Sequence, residues 1–395
     1  MAAGALSGVK VVDLSRVLAG PLCTQMLADH GADVVKVEPP TGDETRTLGP
    51  PFDASGAAAY YSALNRNKRG ISLDLSQPAG REVVLRLLED ADVLVENFLP
   101  GTMEKWSLGY DALAQRFPRL VYCTISGFGA DGPLGGLPGY DAVLQALCGV
   151  MSVNGEPASG PTRVGIPVVD HLTGYVALSG ILLALNQRHA TGRGQRVEAT
   201  LYDTALSLLV PHAANWLASN RAPSLLGSAH PNIAPYDKFN ASDGEVFIGI
   251  LNDAQFRRFC RHVGREPLAA DERFASNAQR LANRDALRRE IEAALAELPG
   301  GRLCEDLMRV GVPAARVQSV PDALSHAHTA HRGLVVREGA YAGLRSPMRL
   351  AESGAEKLRT PPAFAQDSAQ VLQELGFSRE HCAQLRETGA APAPR

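Results

Sequence analysis

No run in this chain approaches the roughly 18 consecutive apolar residues of a membrane-spanning helix. The richest stretch, Leu178 to Leu185, is too short. A basic excess is missing as well: 39 Lys and Arg stand against 42 Asp and Glu, a formal charge of -3, which argues against a dedicated nucleic-acid binder. The six cysteines (Cys23, Cys123, Cys148, Cys260, Cys304 and Cys382) lie far apart without a C-x-x-C pair. They read as reduced thiols of a cytoplasmic protein rather than bridges or zinc ligands. The opening Met1-Ala2-Ala3-Gly4-Ala5-Leu6 has no basic residue ahead of its apolar ones, so no signal peptide is expected. The phosphate-cradling pattern G-x-x-x-x-G-K-[ST] is also absent, which argues against nucleoside triphosphate chemistry.

What remains is an ordinary globular composition, 45% hydrophobic and 21% charged over 395 residues, enough for two or three domains or one large one with an appendage. Short apolar runs at Val9–Leu14, Ala32–Val37, Ile71–Leu75, Ala91–Phe98 and Leu120–Ser126 alternate with helix-like segments such as Gln77–Leu88 and Tyr110–Phe117. That alternation predicts βαβ units around a largely parallel sheet, whose ligands bind at the carboxyl ends of the strands. Helical spacing then predicts long apolar helices from about Asp170 to Arg188 and from Leu201 to Ala218. The Pro-rich stretch from Ser219 to Pro235 reads as a linker or active-site loop. A strand at Glu245–Ile250 and amphipathic helices at Asp253–Val263 and Asn283–Leu298 suggest a smaller second domain. The expected division is a large doubly wound, Rossmann-like α/β domain over 1–218, rejoined by 335–395, and a linker plus small α+β domain over 219–334. A helix is expected near Ser368–Leu375, and the last eight or so residues, rich in Ala, Pro and Gly, are expected to be disordered.

Several apparent motifs dissolve on inspection. Gly127-Phe128-Gly129-Ala130-Asp131-Gly132 has G-x-G-x-x-G spacing, but Pro133, Gly135, Gly136 and Pro138 prevent the helix that a dinucleotide site needs. His326, His328 and His331 lack a Cys or H-E-x-x-H frame and read as a solvated helix surface rather than a metal site. Asp170 has two readings from its neighbours alone. It begins an apolar helix, as a capping aspartate does; it also sits among Val168, Val169 and Leu172, where partial desolvation makes a carboxylate a nucleophile and the helix N-terminus keeps it ionised.

A series of blocks extends beyond any of these motifs. Val12-Asp13-Leu14-Ser15-Arg16-Val17-Leu18-Ala19-Gly20-Pro21, then Gly31-Ala32-Asp33-Val34-Val35-Lys36-Val37-Glu38-Pro39 and Gly42-Asp43-Glu44-Thr45-Arg46, open the chain. Asn67-Lys68-Arg69-Gly70-Ile71-Ser72-Leu73-Asp74-Leu75, Ala91 to Gly101 with Val95-Glu96-Asn97-Phe98, Gly127-Phe128-Gly129, Gly139-Tyr140-Asp141 and Gly165-Ile166-Pro167-Val168-Val169-Asp170 follow, with Gly311-Val312-Pro313-Ala314 further on. In this order and spacing they resemble the class III coenzyme A transferases, formyl-CoA transferase and carnitine CoA-transferase among them.

That resemblance implies transfer of CoA from an acyl-CoA to a free carboxylic acid through a covalent aspartyl-CoA intermediate on Asp170. It implies CoA contacts from the backbone of Val17, Leu18 and Ala19, from Arg46, Lys68 and Arg69 as phosphate-pairing cations, and from Asn97, Phe98, Lys105 and Tyr140. Backbone N–H groups at the helix start and in the glycine loops are the candidate oxyanion donors. CoA is here a substrate; no tightly bound cofactor, metal, flavin or nicotinamide is implied, nor any nucleic-acid or membrane partner. Two departures stand out: Glu38-Pro39-Pro40 lacks an arginine that some relatives carry after the glutamate, and Leu226-Gly227-Ser228-Ala229-His230-Pro231-Asn232-Ile233 replaces the glycine-repeat loop of formyl-CoA transferase. The 230–236 segment is similar to relatives that use succinyl-CoA with short dicarboxylic acids, so itaconate, mesaconate or glutarate is the expected acceptor class. His171, Arg163 and His230 are then candidate partners for a second carboxylate. The resemblance also implies an intertwined homodimer. Two alternatives are an α-methylacyl-CoA racemase-like epimerase and a CoA-binding protein without catalysis. The racemases carry Gly-His-Asp where this chain has Gly139-Tyr140-Asp141, and a tyrosine of ordinary pKa about 10 is a poor substitute for that base.

Overall fold

The computed structural model describes residues 4–53, 55–353 and 358–394; the opening Met1-Ala2-Ala3 and the terminal Arg395 lie outside them. Two compact units emerge, one made of the described residues up to 148, 165–208 and 328 onward, the other of 149–164 and 209–327. The expected boundaries at 218/219 and 334/335 thus move to 208/209 and 327/328, and 149–164 groups with the second unit.

In the first unit the chain runs β1 (Lys10–Asp13), α1 (Ala19–Asp29), β2 (Asp33–Glu38), α2 (Ala59–Leu64), β3 (Lys68–Ser72), α3 (Pro78–Leu88) and β4 (Val93–Glu96). It continues through α4 (Thr102–Lys105), α5 (Tyr110–Arg116), β5 (Val121–Ser126), α6 (Asp141–Leu147), α7 (Val168–Thr191), β6 (Arg196–Thr200) and α8 (Leu201–Ser207). The six strands are all parallel in the order β3-β2-β1-β4-β5-β6. The order in which strands are added reverses between β1 and β4, and the crevice at their carboxyl ends is where a doubly wound sheet binds its ligand.

Two-residue periodicity sorts the strand side chains into two cores. Val11, Val34, Val93, Val95, Cys123 and Ile125 face one side, beneath α1, α7 and α8, while Val12, Val35, Leu94 and Tyr122 face the other. The second face is covered by α3 and by helices Ser368–Glu374 and Arg379–Glu387, through Val83, Val84, Val371, Leu372 and Leu385. Both faces being buried explains why the strands read as unbroken Val-rich runs.

Several elements depart from the sequence-based expectation. β3 begins three residues before Ile71, at Lys68, because the buried Lys68 side chain is satisfied by polar partners rather than by solvent. The single helix expected over Leu201–Ala218 is two, α8 and α9 (His212–Ser219), separated at Pro211, whose ring cannot continue a helix. The expected disordered tail is ordered through its described residues: Ala390 and Ala391 are buried in the core, and Ala390 accepts a hydrogen bond from the Asp74 amide. Small side chains permit that close packing. A hairpin at Val335–Glu338 and Tyr341–Leu344 had no signal in the pattern.

The second unit centres on an antiparallel sheet of β7 (Tyr236–Ala241), β8 (Gly244–Gly249) and β9 (Ala314–Arg316). Helices Asp253–His262, Arg284–Leu295 and Gly300–Arg309 pack on it through Phe256, Phe259, Ile291, Leu295 and Leu307.

The helix that carries the site is α7. By length and composition it is apolar enough to cross a bilayer, with a mean hydropathy of 1.6 over its best window. Here Val169, Ala177, Ile181 and Ala184 are instead packed into the core beside α1. The two helices meet at Gly174, where an added Cβ would lie 2.8 Å from the Ala19 carbonyl oxygen. A backbone atom cannot swing aside, so Gly174→Val is expected to lower the unfolding free energy by about 1–3 kcal/mol. Gly165→Ala, whose Cβ would meet nothing within 4 Å, is expected to stay within about 0.5 kcal/mol of the parent. Denaturant unfolding of the two variants checks this, and equal midpoints would remove Gly174 as the helix contact.

Candidate active site

The β1–α1 connection is held from several sides. Asn97, just past β4, accepts a hydrogen bond from the Arg16 amide at 2.8 Å and donates one to the Arg16 carbonyl at 2.7 Å. Lys36 donates to the Ser15 carbonyl at 2.9 Å, and the Val17 amide donates to Asp43 at 3.4 Å. These anchors hold Val17 at φ 68°, a left-handed conformation that a β-branched residue adopts only under strain. Gly20 is required at the following turn, because a Cβ there would lie 2.3 Å from the Ser15 side chain. The turn delivers α1 with an open N-terminus: among the described residues the Ala19 and Gly20 amides have no hydrogen-bond acceptor, and Pro21 has no N–H to satisfy. Val17, Leu18, Ala19, Asn97 and Phe98 are therefore brought together at the sheet's switch point, the crevice expected to receive a ligand.

Asp170 occupies the third position of α7. It does not cap the helix. The N-cap position belongs to Pro167, which has no side-chain acceptor, and the capping is done by Asp141 at the start of α6. Asp141 Oδ1 accepts from the Val169 amide at 2.7 Å and from the Asp170 amide at 3.2 Å, while its Oδ2 accepts from Gln145 Nε2 at 2.7 Å. The neighbouring amides are occupied too: Val168 donates to the Ile166 carbonyl and His171 to that of Pro167. The expected donors at this helix start are thus consumed. The α1 amides of Ala19 and Gly20, on the helix that meets α7 at Gly174, remain without an acceptor among the described residues.

The electrostatic consequence reverses another expectation. The helix N-terminus does not hold Asp170 in the ordinary aspartate range. Burial, and then the charge of Asp141, push its carboxyl up to about 7. Tyr60 on α2 feels the same field. Burial first, then Asp170, Asp141 and Asp43, push its phenol up to about 12, so it remains a protonated donor. Neither Tyr60 nor Asp141 stood out in the sequence as a site residue. A signal was available for Asp141 only in hindsight of geometry: a proline at the N-cap leaves two amides needing an acceptor from elsewhere.

The three expected phosphate cations are engaged by carboxylates of the chain itself. Lys68 is fully buried, donating to Asp13 at 3.0 Å, to Asn65 at 2.8 Å and to the Pro21 carbonyl at 2.9 Å. Arg46 forks onto Glu38 at 2.7 Å, stacks over Tyr61 and donates to Pro362. Arg69 lies near the amino end of β3, paired with Asp33 and Glu374. Each of these cations has an internal carboxylate within ion-pair distance. Lys105 is exposed on α4, and Arg16, within the opening Val12–Pro21 block, lies on the β1–α1 connection beside Phe98. The Arg16 guanidinium lies 5.2 Å from the Phe98 ring centroid and 2.6 Å from Glu44, and its buried Nε has no partner among the described residues.

Tyr140 is 70% exposed beside Asp141. His171 is partly buried on α7, its Nδ1 3.0 Å from the Pro167 carbonyl. Arg163 and His230 belong to the second unit, where Arg163 is exposed and His230 packs edge-on against Tyr236. The 127–139 segment is a glycine-rich loop between β5 and α6, without the helix of a dinucleotide site. No cluster fit for a metal ion occurs among the described residues.

Because the folded-state pKa of Asp170 lies above its ordinary value of 3.8, its contribution to stability is present in full at low pH and is lost as pH rises through about 7. Asp170→Asn, which cannot ionise, is expected to gain stability relative to the parent between pH 4 and pH 8, by roughly 1–3 kcal/mol. Denaturant titrations across that range check it; parallel stability curves would sink the charged-pair account.

Comparison with known proteins gives the family. Residues 6–368 match the family described as CoA-transferase family III. The chain is 40% identical to a succinate–glutarate CoA-transferase of Agrobacterium fabrum, over 94% of this chain and 95% of that one. It is 39% identical to a succinyl-CoA:mesaconate CoA-transferase of Haloarcula hispanica, covering 94% of this chain and 97% of the other. Among solved structures, a CAIB/BAIF family protein from Brucella suis superposes with a TM-score of 0.86 at 40% identity, over 95% of this chain and 100% of that one. A match of this extent settles membership: the chain belongs to CoA-transferase family III and is an enzyme of that class.

Proposed function

We propose that this enzyme moves CoA from succinyl-CoA to a small dicarboxylic acid, with Asp170 as the nucleophile that carries the acyl group and then the CoA. The observation that carries the reading is the partly buried Asp170 carboxyl, raised to about 7 beside Asp141 at the start of α7. Relatives named for glutarate and mesaconate support the dicarboxylate acceptor.

In the proposed exchange an Asp170 oxygen attacks the thioester carbonyl, the C–S bond breaks, and a mixed anhydride forms with release of CoA thiolate. The thiolate then attacks the Asp170 carbonyl, forming aspartyl-CoA and freeing the donor acid as its carboxylate. The acceptor carboxylate attacks aspartyl-CoA, again releasing thiolate, which attacks the acceptor's carbonyl in the new anhydride; acyl-CoA leaves and Asp170 is restored. Each step moves one negative charge between a carboxylate and a thiolate, so no proton is transferred. The site must therefore supply an ionised nucleophile, oxyanion donors and protection from water. The Ala19 and Gly20 amides serve the oxyanion, the protonated Tyr60 hydroxyl is a further donor, and Arg16 and Lys105 offer charge to the CoA phosphates.

Asp170→Ala is expected to lose at least about a thousand-fold in turnover while staying folded. The parent, incubated with succinyl-CoA and hydroxylamine, is expected to yield a hydroxamate at Asp170 detectable by peptide mass spectrometry. Undiminished transfer by Asp170→Ala would end the reading. Acceptance of only aromatic or carnitine-like acids would overturn the substrate class.

The same reading includes a homodimer. Val143 and Leu147 on α6, Val176 and Leu183 on α7 and Leu206 on α8 are all exposed large apolar side chains, Leu183 at 71%. Such a face calls for cover, and a second copy of the chain is the occupant that the family resemblance implies. Light scattering should return about twice the 41.9 kDa chain mass, and Leu183→Asp should shift the population towards the monomer. A monomeric parent would refute the assembly.

A further inference from the structure

The N-terminus of α7 presents an unusual division of labour. A carboxylate in the first turn of a helix ordinarily accepts from the free amides there, which stabilises its charge and weakens it as a base; two or three such bonds can bring a pKa below about 2. Asp170 is in position to receive that stabilisation and does not, because Asp141 has taken the amides of Val169 and Asp170. Gln145 adds a third donor to Asp141. Three donors thus engage Asp141, and Asp170 is left without comparable support.

We propose that Asp141 is a positioning residue for the Asp170 nucleophile: by capping α7 in its place, it fixes the backbone at position 170 and withholds the amide bonds that would blunt the neighbouring carboxylate. This rests on Asp170 being the nucleophile. Two effects follow. An undonated carboxylate is more basic, and nucleophilic strength rises with basicity. Repulsion between the two carboxylates is also greatest before attack, since Asp170 passes its charge to the departing thiolate. Asp141 therefore raises the ground state more than the transition state, the only kind of interaction that speeds a chemical step.

The surroundings contain little else that would set the Asp170 charge. From α2 comes the Tyr60 phenol, which stays protonated; from α6 comes Asp141; and His171 is the neighbour on α7 itself. Against α7, α1 presents uncharged Ala19 and Gly20, with its only charged residue, Asp29, at the far end. Asp43 reaches this field through Tyr60. No cation faces Asp170 among the charges that shift it, so removing Asp141 should be felt directly.

The test is the pH dependence of Asp170 modification by a water-soluble carbodiimide, read by peptide mass spectrometry, alongside the pH profile of kcat. Asp141→Asn keeps a carbonyl acceptor for the two amides and removes the charge. The labelling midpoint at Asp170 is expected to fall by at least one pH unit from near 7. The acid limb of kcat should move with it, plateau kcat should drop about ten-fold, and KM for acyl-CoA should stay within two-fold. Should Asp141→Asn not fold, Asp141→Ser, which retains a hydroxyl acceptor without charge, is expected to shift the midpoint in the same direction. A midpoint unmoved in a folded, uncharged variant overturns the proposal. Labelling does not depend on turnover, so it reads Asp141's influence even where Asp170→Ala shows that the nucleophile lies elsewhere.

Discussion

One carboxylate sits on the amides of α7 so that another does not. Asp141 accepts from Val169 and Asp170, and Asp170 is left partly buried next to a like charge. Much of the first unit can be understood as the support for that arrangement. α7 must lie close enough to α1 for Gly174 to touch the Ala19 carbonyl, which places the two open α1 amides against the helix that carries Asp170. α6 must begin where it does, and the 127–139 loop sets its start by stacking Gly139 on Gly127, where a Cβ on Gly127 would come within 2.9 Å of the Gly139 backbone. A methyl group at either contact would move one of the two carboxylates relative to the other.

A second set of charges is held still for a different purpose. Asp13, Lys36, Asp43 and Lys68 are all essentially inaccessible and are linked by ion pairs and hydrogen bonds to Ser15, Thr24, Thr45 and Asn65. Burial works against the Asp13 carboxylate, yet the ammonium groups of Lys68 and Lys36, with the Ser15 and Thr24 hydroxyls, hold its pKa below the usual range. Charged groups so placed add little net stability over an apolar core, because desolvation offsets their attraction. What they do supply here is geometry. Lys36 grips the Ser15 carbonyl and Asp43 the Val17 amide, so the strained turn ahead of α1 has few alternatives. Lys68 and Arg46, read from the sequence as phosphate partners, are tied here to Asp13 and Glu38.

The parallel sheet was legible because its strands are buried on both faces and so carry continuous Val-rich runs, and the order of the sequence blocks placed Val17–Ala19, Asn97 and Asp170 near one crevice. Charge partners were not legible. Arg46 and Glu38 are eight residues apart, but nothing in the sequence distinguishes an arginine kept for Glu38 from one kept for a ligand. Asp141 and Asp170 are 29 positions apart, and only the fold reveals that the proline before α7 obliges a distant side chain to cap it. The split of α8 from α9 turned on one proline inside an apolar pattern. The buried tail escaped because Ala, whose small side chain allows close packing, has the same compositional signature as a flexible end.

The balance of charge explains why so little acid–base machinery surrounds Asp170. A racemase of related architecture must take a proton from one face and return it to another, and needs two groups titrating near neutrality. In the proposed transfer the negative charge passes from carboxylate to thiolate and back, so a titrating partner beside Asp170 would only offer the nucleophile a proton to pick up. Tyr60, pushed to about 12, stays protonated at neutral pH, so its hydroxyl is available as a hydrogen-bond donor. Asp141 has its carboxylate oxygens engaged by three donors. The position that racemases fill with histidine is here the exposed Tyr140, and in the proposed transfer, which starts from an ionised Asp170 and ends by restoring it, no proton donor is called for there.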